Sequence, residues 1–395
     1  MCAVGAGLHN ANIIPFGAEQ FSFDMEAKIE YFFYSFYWFR NLGCFITNLF
    51  VALLQQYRCW IGFSVPLVAS LLSIIPLTLG KKYFILNFPR SDVTDRFFKI
   101  IREGYKFSKV PTGGGETNFT RISTVDRLDF AKHEYGGSYS TLEVNSVKSV
   151  LKLVPLFSCY IIYFTIYSQM HSSFYIQGLF IKTPDYFPYA GAEIANNIAI
   201  LVLLPLFILV VYPKYEKKFG TFHAFSKIQI GFFFAAIAMI TAGFVEYVRH
   251  VYLSPMYNEA SFQTIYLHSG VDVVVLQALD FWVRFPQYFF IAVSEIFAVV
   301  IGIEFAYKEG PRTMRSITMG VFFMYNALGT FASAVLMLLI QVVTLAVNNG
   351  YGWICQDYNQ GKMHYFFFLL SGLMIANMVC FMFRAKRYEK TDSYW

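Results

Sequence analysis

The sequence predicts an all-α membrane protein, a polytopic bundle of transmembrane helices. Of its 395 residues, 56% are hydrophobic, 20% are aromatic and only 14% are charged, which is far from the average of soluble proteins. Stretches without Asp, Glu, Lys or Arg recur along the chain. Crossing a hydrocarbon core takes about 20 apolar residues, and most of these stretches reach that length. A single soluble core is therefore excluded.

Six charge-free runs are each predicted to contain a spanning helix: 59–80, 153–181, 194–213, 228–245, 316–356 and 363–383. Two further apolar segments have a charged residue in their interior, Arg40 within 29–57 and Glu295 within 285–303. Residues 1–18 resemble part of another span. Together these segments predict about nine transmembrane helices.

A long polar segment, 81–148, divides the predicted spans into two groups. It contains twelve Lys and Arg residues against eight Asp and Glu residues, and cytoplasmic loops are typically rich in basic residues. We therefore expect 81–148 to be a cytoplasmic linker between an N-terminal helix group, 1–80, and a C-terminal six-helix bundle, 149–384. Residues 385–395 are predicted to form a cytoplasmic tail.

Within this linker, residues 96–102 (Arg-Phe-Phe-Lys-Ile-Ile-Arg) place apolar side chains on one helical face and basic ones on the other. One interpretation is an interfacial helix that lies on anionic lipid. The alternative is a short solvated helix.

Glu295 is the strongest candidate for a functional side chain, because it is the only charge between Arg284 and Glu304. An ionisable group at membrane depth costs at least about 2.5–3.5 kcal/mol, so it is normally there for binding, ion pairing or proton movement. Low dielectric favours the neutral form of a carboxylate, and coupling to a proton gradient requires a group that alternates between charged and neutral forms. A purely structural hydrogen bond or ion pair is the alternative.

Several motifs occur along the chain. In order they are Phe-Gly-Ala-Glu-Gln-Phe at 16–21, Phe-Tyr-Trp-Phe-Arg-Asn-Leu-Gly at 36–43, Tyr-Ser-Gln-Met at 167–170, and Glu295 followed by Gly-Ile-Glu-Phe-Ala-Tyr at 302–307 and Pro-Arg-Thr-Met-Arg-Ser at 311–316. These motifs resemble those of the proton-coupled oligopeptide transporter family of the major facilitator superfamily. The last group resembles the family's tenth helix and the segment after it.

The resemblance implies symport of short peptides or related solutes with protons by alternating access, in place of enzymatic activity. The expected partners are a peptide or amino-acid-like substrate, protons and the lipid bilayer. No cofactor, metal or nucleic acid is expected, because the cysteines form no metal-type pair, no phosphate-binding loop is present and no segment resembles a nucleic-acid-binding module. The substrate contacts that the resemblance implies are Tyr37, Asn41, Phe164, Asn196 and Glu295, and Glu295 is also the expected proton-coupling group.

The resemblance begins at the family's fourth helix, so 1–80 would correspond to helices four to six and the chain to a truncated form. Asn10 falls where the family's fourth helix has a Lys, so that cation is missing. Arg40 stands where the fifth-helix motif has a small or branched apolar residue, three positions after Tyr37. We hypothesise that Arg40 restores a positive charge beside Tyr37; pairing elsewhere or snorkelling to the interface is the alternative.

The departures from the family pattern leave a second class of function open. A non-transporting membrane scaffold or an inactive isoform is the alternative to a transporter. A seven-helix receptor fits less well, because at least eight spans are predicted and a long central linker divides them. The sequence predicts a multi-pass protein of the plasma membrane or of the endolysosomal membrane, without choosing between the two.

Overall fold

The computed structural model describes residues 2–21, 26–85, 92–107, 126–182, 193–256, 263–266, 272–275, 279–347, 352–354 and 361–392. Fourteen α-helices lie in this part of the chain: α1 (Cys2–Ala18), α2 (Glu26–Tyr57), α3 (Cys59–Gly80), α4 (Val93–Phe107), α5 (Thr141–Phe157), α6 (Tyr160–Tyr167), α7 (Ser173–Leu179), α8 (Glu193–Leu206), α9 (Tyr212–Phe219), α10 (Ala224–Met256), α11 (Phe285–Glu295), α12 (Ile301–Glu309), α13 (Arg315–Val347) and α14 (Met363–Asp392).

Shorter helical turns connect several of these helices. Four are 3₁₀ turns, at Arg127–Ala131, His133–Tyr135, Ser168–His171 and Phe281–Arg284, and two are π-helical turns, at Phe207–Val211 and Ile296–Val300. Two short strands, β1 (Gln263–Tyr266) and β2 (Asp272–Val275), pair antiparallel with Gln263 opposite Val275. Apart from this hairpin, the regular structure in the described part of the chain is helical.

The prediction of a polytopic helical membrane protein is confirmed. Six continuous helical segments among the described residues are long and apolar enough to cross a membrane: Trp60–Gly80, Glu193–Phe219, Ala224–Val251, Phe281–Glu309, Arg315–Ala346 and Met363–Lys390. The broken pair Thr141–Phe157 and Tyr160–Leu179 counts as a seventh span when taken as one. The predicted total of nine spans stays a prediction.

The chain forms two compact units. The first consists of Met1–Ser22, Ile85–Ser158 and Ile303–Met324, and the second of Phe23–Phe84, Cys159–Gly302 and Tyr325–Trp395. The boundaries expected from the sequence, with segments 1–80, 81–148, 149–384 and 385–395, stay a prediction.

The first unit has a small apolar core to which α4 and α5 contribute. Its buried members are Phe97, Ile100, Leu128, Ala131, Val144, Val147, Val150 and Met314. The start of α5 is fixed by a capping box, in which the Ser140 hydroxyl accepts a hydrogen bond from the Glu143 amide and the Glu143 carboxylate accepts one from the Ser140 amide. These bonds satisfy backbone N–H groups that a helix start otherwise leaves without partners.

The helix expected around residues 96–102 is present as α4, but its apolar face is covered by protein. Phe97 and Ile100 are buried against the core of the first unit. They pack there because Leu128 and the first turns of α5 provide an apolar surface within the same unit. Phe98, in the same run of residues, is 64% exposed, so the interfacial and the solvated placement of this helix both stay predictions.

In the second unit, α10 packs against α11 and α14, and α2 packs against α3 and α8. Small residues allow close approach: a Cβ at Gly243 of α10 would lie 2.7 Å from the ring of Phe368 on α14. Small residues at helix contacts are typical of membrane proteins, where close packing drives association. This packing holds α2, α6, α8 and α11 around one buried carboxylate.

Candidate functional site

Glu295 is the last residue of α11 and is 4% exposed. The π-helical turn Ile296–Val300 follows it directly and leads into α12. Single π turns within α-helices occur frequently at functional sites. The carboxylate thus lies in the second unit, beside an irregular turn of a spanning helix.

Three side chains from three different helices donate hydrogen bonds to this carboxylate. The Tyr37 hydroxyl of α2 donates to Oε1, and the Tyr167 hydroxyl at the end of α6 donates to the same oxygen at 3.2 Å. Nδ2 of Asn196, in α8, donates to Oε2 at 3.2 Å. The carboxylate therefore links α11 to three other helices.

These donors are neutral. In the part of the chain that the structure describes, no Lys, Arg or His forms an ion pair with Glu295. A buried carboxylate costs a large free energy unless it is hydrogen-bonded, and its oxygens together offer about four acceptor positions. Three of them are used here, and the guanidinium of Arg40, next to the ring of Tyr37, adds a nearby positive charge without an ion pair to Glu295 among the described contacts.

The π turn after Glu295 is held in place from two sides. The Tyr160 hydroxyl donates to the carbonyl oxygen of Ala298 at 3.0 Å. On α10, a Cβ at Gly231 would lie 2.6 Å from the backbone nitrogen of Ala298 and 2.9 Å from the carbonyl oxygen of Ser294, so only glycine fits there without displacement. Gly231 thus lies where the backbone of the π turn approaches α10 closely.

Aromatic side chains surround one side of the carboxylate. The ring of Tyr163 stacks on Tyr167 with centroids 6.4 Å apart and on Phe232 with centroids 5.4 Å apart. Ser294, the residue before Glu295, donates from its hydroxyl to the Tyr163 hydroxyl at 3.3 Å. This wall fixes the ring of Tyr167 and thereby aims its hydroxyl.

The structure brings together three of the five substrate contacts predicted from the sequence, Tyr37, Asn196 and Glu295. The Asn41 amide is buried but donates to the carbonyl oxygen of Tyr37, one turn earlier in its own helix, at 2.9 Å. Phe164 is 1% exposed and packs against other aromatic rings of α6 without a contact to Glu295 among the described interactions. The substrate-contact role of all five stays a prediction.

Arg40 lies beside Tyr37 as the i,i+3 spacing predicted. Its guanidinium carbon is 5.9 Å from the centroid of the Tyr37 ring, and the residue is exposed. A cation at this distance from a ring face is attracted to it. Arg40 thus places a positive charge next to the ring whose hydroxyl contacts Glu295.

Sequence reasoning did not select Tyr167 as a site residue. Its motif was noticed only for the family resemblance, although its i,i+4 spacing from Tyr163 places two hydroxyls on one helical face. That spacing was the available signal. Which hydroxyl reached the acidic residue depended on the packing of α6 against α11.

A second buried polar cluster in the second unit was also not foreseen. The guanidinium of Arg249 contacts the carboxylate of Glu246 at 2.6 Å, and both side chains are at most 1% exposed. Nε2 of Gln177 donates to Glu246 at 3.1 Å, and Nε2 of Gln287 donates to the Gln177 carbonyl oxygen at 3.1 Å. This cluster joins α7, α10 and α11 at the other end of α11 from Glu295.

The model of the POT family matches residues 1–354. The chain belongs to the POT family. The family resemblance drawn from the motifs is confirmed, and the chain is a multi-pass membrane transporter by family and not an enzyme.

Curated relatives of this POT family chain come from animals and plants. Solute carrier family 15 member 3 of Rattus norvegicus is 27% identical over 99% of this chain and 69% of its own length. Protein NRT1/ PTR FAMILY 8.1 of Arabidopsis thaliana is 28% identical over 98% of this chain and 73% of its own length. The chain therefore spans about seven tenths of the length of these relatives.

Solved structures of the POT family share its fold. An auto-inhibited POT family peptide transporter superposes with a TM-score of 0.69 at 16% identity, covering 96% of this chain and 74% of that one. A POT family transporter crystallised in meso gives the same TM-score at 18% identity, covering 96% and 75%. At this identity the likeness concerns the fold alone.

Proposed function

We propose that this chain carries short peptides or related solutes across a membrane together with protons, by alternating access, with Glu295 as the proton-coupling group. The observation that carries this proposal is the buried Glu295 carboxylate, held by three neutral donors from three helices. Since Glu295 forms no ion pair in the described part of the chain, it can take up a proton without breaking a salt bridge. That property suits a group that is protonated and deprotonated in each cycle.

The donors also suit both protonation states. A protonated carboxyl group becomes a hydrogen-bond donor at one oxygen, and a tyrosine hydroxyl can accept as well as donate. Either Tyr37 or Tyr167 can therefore accept the hydrogen bond from the single new O–H when Glu295 gains a proton, while the other continues to donate. Asn196 supports the same change, because its Oδ1 is buried and has no hydrogen-bond partner in the described part of the chain.

For the substrate, we propose that Glu295 and Oδ1 of Asn196 receive an ammonium group. An ammonium has three donors and no acceptor, and a carboxylate with a nearby amide oxygen offers complementary acceptors. The free Oδ1 atom supports this assignment. Amino-acid-like and peptide substrates carry such a group at one end.

Arg40 is our proposed partner for the carboxylate at the other end of the substrate. Its guanidinium adjoins the ring of Tyr37, whose hydroxyl contacts Glu295, so a cation and an anion lie on either side of one tyrosine. Guanidinium binds carboxylate through two parallel hydrogen bonds. Arg40→Ala should weaken uptake and Arg40→Lys should restore it in part; unchanged uptake in Arg40→Ala would remove Arg40 from the site.

The helix break next to Tyr167 is our proposed link between the carboxylate and alternating access. The α-helix α6 ends at Tyr167, and the 3₁₀ turn Ser168–His171 separates it from α7. A change of angle at this break would move the Tyr167 hydroxyl relative to Glu295. The protonation state of the carboxylate would thereby bias the conformation of the seventh span, as a two-state switch requires.

The test is uptake of radiolabelled di- and tripeptides into proteoliposomes under an imposed pH gradient. Glu295→Gln keeps the size and hydrogen-bonding capacity of the side chain but removes its charge and titration. We expect this variant to lose gradient-driven uptake. The matched control is Glu309→Gln, at the exposed end of α12, which should behave like the parent.

Two outcomes count against the proposal. Gradient-driven uptake that persists in Glu295→Gln would remove this residue from proton coupling. A parent protein that inserts and folds correctly but transports no peptide would favour the non-transporting scaffold or inactive isoform. Residence in the plasma membrane or the endolysosomal membrane is also part of the proposal. Imaging of a tagged chain together with markers of both membranes would decide between the two.

A further inference from the structure

Two cysteines of the second unit lie side by side where the start of α6 meets α14. Cys159 directly precedes α6 and is 2% exposed, whereas Cys380 lies on the exposed surface of α14. Both are reduced thiols in this structure. Neither belongs to the group of side chains around Glu295, so the site described above leaves them without a role.

The contacts of α14 place Cys380 against Cys159. Nδ2 of Asn377 donates to the carbonyl oxygen of Cys159 at 2.9 Å, and Nη1 of Arg384 donates to its sulfur at 3.6 Å. Cys380 comes three residues after Asn377 and four before Arg384, so the three share one helical face. The Cys380 thiol lies within hydrogen-bonding distance of the Cys159 thiol. A disulfide holds its sulfurs about 2 Å apart, so thiols already in contact need only a short movement to join.

The guanidinium of Arg384 prepares the Cys159 sulfur for nucleophilic attack. The reactive form of a cysteine is the thiolate, and an adjacent guanidinium stabilises that negative charge. Because Cys380 is exposed and Cys159 is buried, a small oxidant reaches Cys380 first. An accessible thiol next to a second thiol that can attack it is the arrangement typical of redox-sensing cysteines.

The pair lies close to the charged end of its membrane span. The charge-free stretch 363–383 ends at Arg384, one turn after Cys380, and Lys386 and Arg387 follow. Cationic side chains at the end of a span are held at the interface with water, so a water-borne oxidant reaches this turn of α14. The sequence predicts this end to be cytoplasmic. In that compartment thiols are kept reduced, and disulfides are typically transient and redox-sensing.

We propose that Cys159 and Cys380 form a reversible disulfide when the protein meets hydrogen peroxide. The Cys380 sulfur attacks one peroxide oxygen, the O–O bond breaks, and the departing hydroxide takes up the thiol proton, which leaves a sulfenic acid and one water molecule. The Cys159 thiolate then attacks that sulfur, the S–S bond forms, and the sulfenic oxygen departs with the Cys159 proton as a second water. Each sulfur loses one electron and peroxide gains two. A dithiol reverses the reaction by thiol–disulfide exchange.

The bond would anchor the start of α6 to α14. The other end of α6 is Tyr167, whose hydroxyl donates to Glu295. Movement of this hydroxyl relative to the carboxylate is part of the transport cycle proposed above, and the consequence for uptake rests on that proposed function. The disulfide would restrain α6 and stop uptake until it is reduced.

Peptide mapping of the full parent chain in proteoliposomes tests the bond without any substitution. The protein is treated with hydrogen peroxide, remaining thiols are blocked with N-ethylmaleimide, and the chain is digested without reductant. We expect a cross-linked peptide that contains Cys159 and Cys380 and that is lost after dithiothreitol. Absence of this peptide under conditions that oxidise the exposed Cys44, or pairing of Cys380 with another cysteine, overturns the proposal.

Two substitutions on α14 separate the role of Arg384 from a general effect of charge. Arg384→Gln removes the guanidinium at the Cys159 sulfur and should slow disulfide formation about threefold, because the thiolate fraction falls while the reactivity of each thiolate rises in part. Lys386→Gln removes the same charge from an exposed position on another face of the helix and should leave the rate at the parental value. Equal rates in the two variants overturn the role of Arg384.

Uptake measures the consequence for α6 separately. The oxidised parent should lose gradient-driven uptake and regain it after dithiothreitol, whereas Cys380→Ser should transport equally with and without peroxide. Complete cross-linking with unchanged uptake overturns the restraint on α6. A reduced parent that transports nothing contradicts the proposed function instead, and the peptide map still decides whether the disulfide forms.

Discussion

The Tyr37 hydroxyl donates a hydrogen bond to the Glu295 carboxylate, joining two residues 258 positions apart in the chain. Tyr37 lies in the first half of α2 and Glu295 at the end of α11. The contact ties the residues before the central polar segment to those after it, within the second unit. Any change in this hydrogen bond therefore affects both α2 and α11, which are distant in sequence.

The first prediction contrasts Tyr37 with its neighbour Asn41. Tyr37→Phe should lower gradient-driven uptake about 10-fold, because a hydrogen bond to a charged group contributes about 1.5–3 kcal/mol. Asn41→Ala should have a smaller effect, since its amide bonds to the backbone of its own helix. Initial rates of uptake in proteoliposomes measure both, and Tyr31→Phe, exposed on the same helix, is the control. Equal loss in both variants would contradict the assignment of Tyr37 to Glu295.

The second prediction concerns the glycine that faces the π turn. Gly231→Ala should destabilise the protein by about 1–3 kcal/mol, because the added methyl group meets backbone atoms of Ala298 and Ser294 that cannot rotate away. Thermal unfolding in detergent measures this effect. Gly320→Ala is the control: its Cβ would meet nothing within 4 Å, so the same change should stabilise helix α13 by about 0.5–1 kcal/mol. A stable Gly231→Ala protein would mean that α10 and α11 separate easily.

The third prediction concerns the buried ion pair of Glu246 and Arg249. Glu246→Gln should cost about 3–5 kcal/mol of stability, since it removes the carboxylate that the fully buried guanidinium contacts. Replacing both residues, as in Glu246→Gln with Arg249→Gln, should cost less than the first change alone. Thermal unfolding of the two variants and the parent gives this comparison. A double variant less stable than Glu246→Gln would show that the charge of Arg249 is compensated elsewhere.

The fourth prediction concerns acid sensitivity of the first unit. Partial burial opposes ionisation of Asp129, but the ammonium groups of Lys132 and Lys148, at 2.5 and 2.8 Å, outweigh it and hold the pKa of Asp129 below its ordinary value. A lowered pKa in the folded state adds stability above the unfolded pKa of about 3.9 and loses it as the pH falls through the folded pKa.

Hydrogen exchange of residues 126–150 as a function of pH measures this contribution. In the parent protein, protection should decline below about pH 4. Asp129→Asn should show lower protection at neutral pH and a flatter decline. Asp126→Asn is the control, because Asp126 also contacts Lys148, at 3.1 Å, but is 59% exposed. A decline in Asp129→Asn as steep as in the parent would assign the acid sensitivity to another group.

The sequence predicted the class of protein and the central residue of the site for the same physical reason. Membrane hydrocarbon accommodates long apolar helices and makes a buried charge costly. The apolar spans and the single charged residue inside one of them, Glu295, can therefore be recognised from the amino-acid sequence alone. Tyr37 and Asn196, predicted as substrate contacts through motif resemblance, both donate hydrogen bonds to Glu295, and their role toward a substrate stays a prediction. Asn41 and Phe164 were selected by the same resemblance; neither contacts Glu295 among the described interactions, and their role toward a substrate also stays a prediction.

What the sequence determined by itself is the membrane fold, the family and the position of a buried acid. Tertiary structure decided which groups compensate that acid, because hydrogen-bond partners depend on how α2, α6 and α8 rotate against α11. It brought in Tyr167 and directed the Asn41 amide to a backbone carbonyl. It also buried the apolar face of α4 against the core of the first unit, because apolar residues pack on whichever apolar surface is nearest in space. The aromatic and basic face of the same helix stayed exposed.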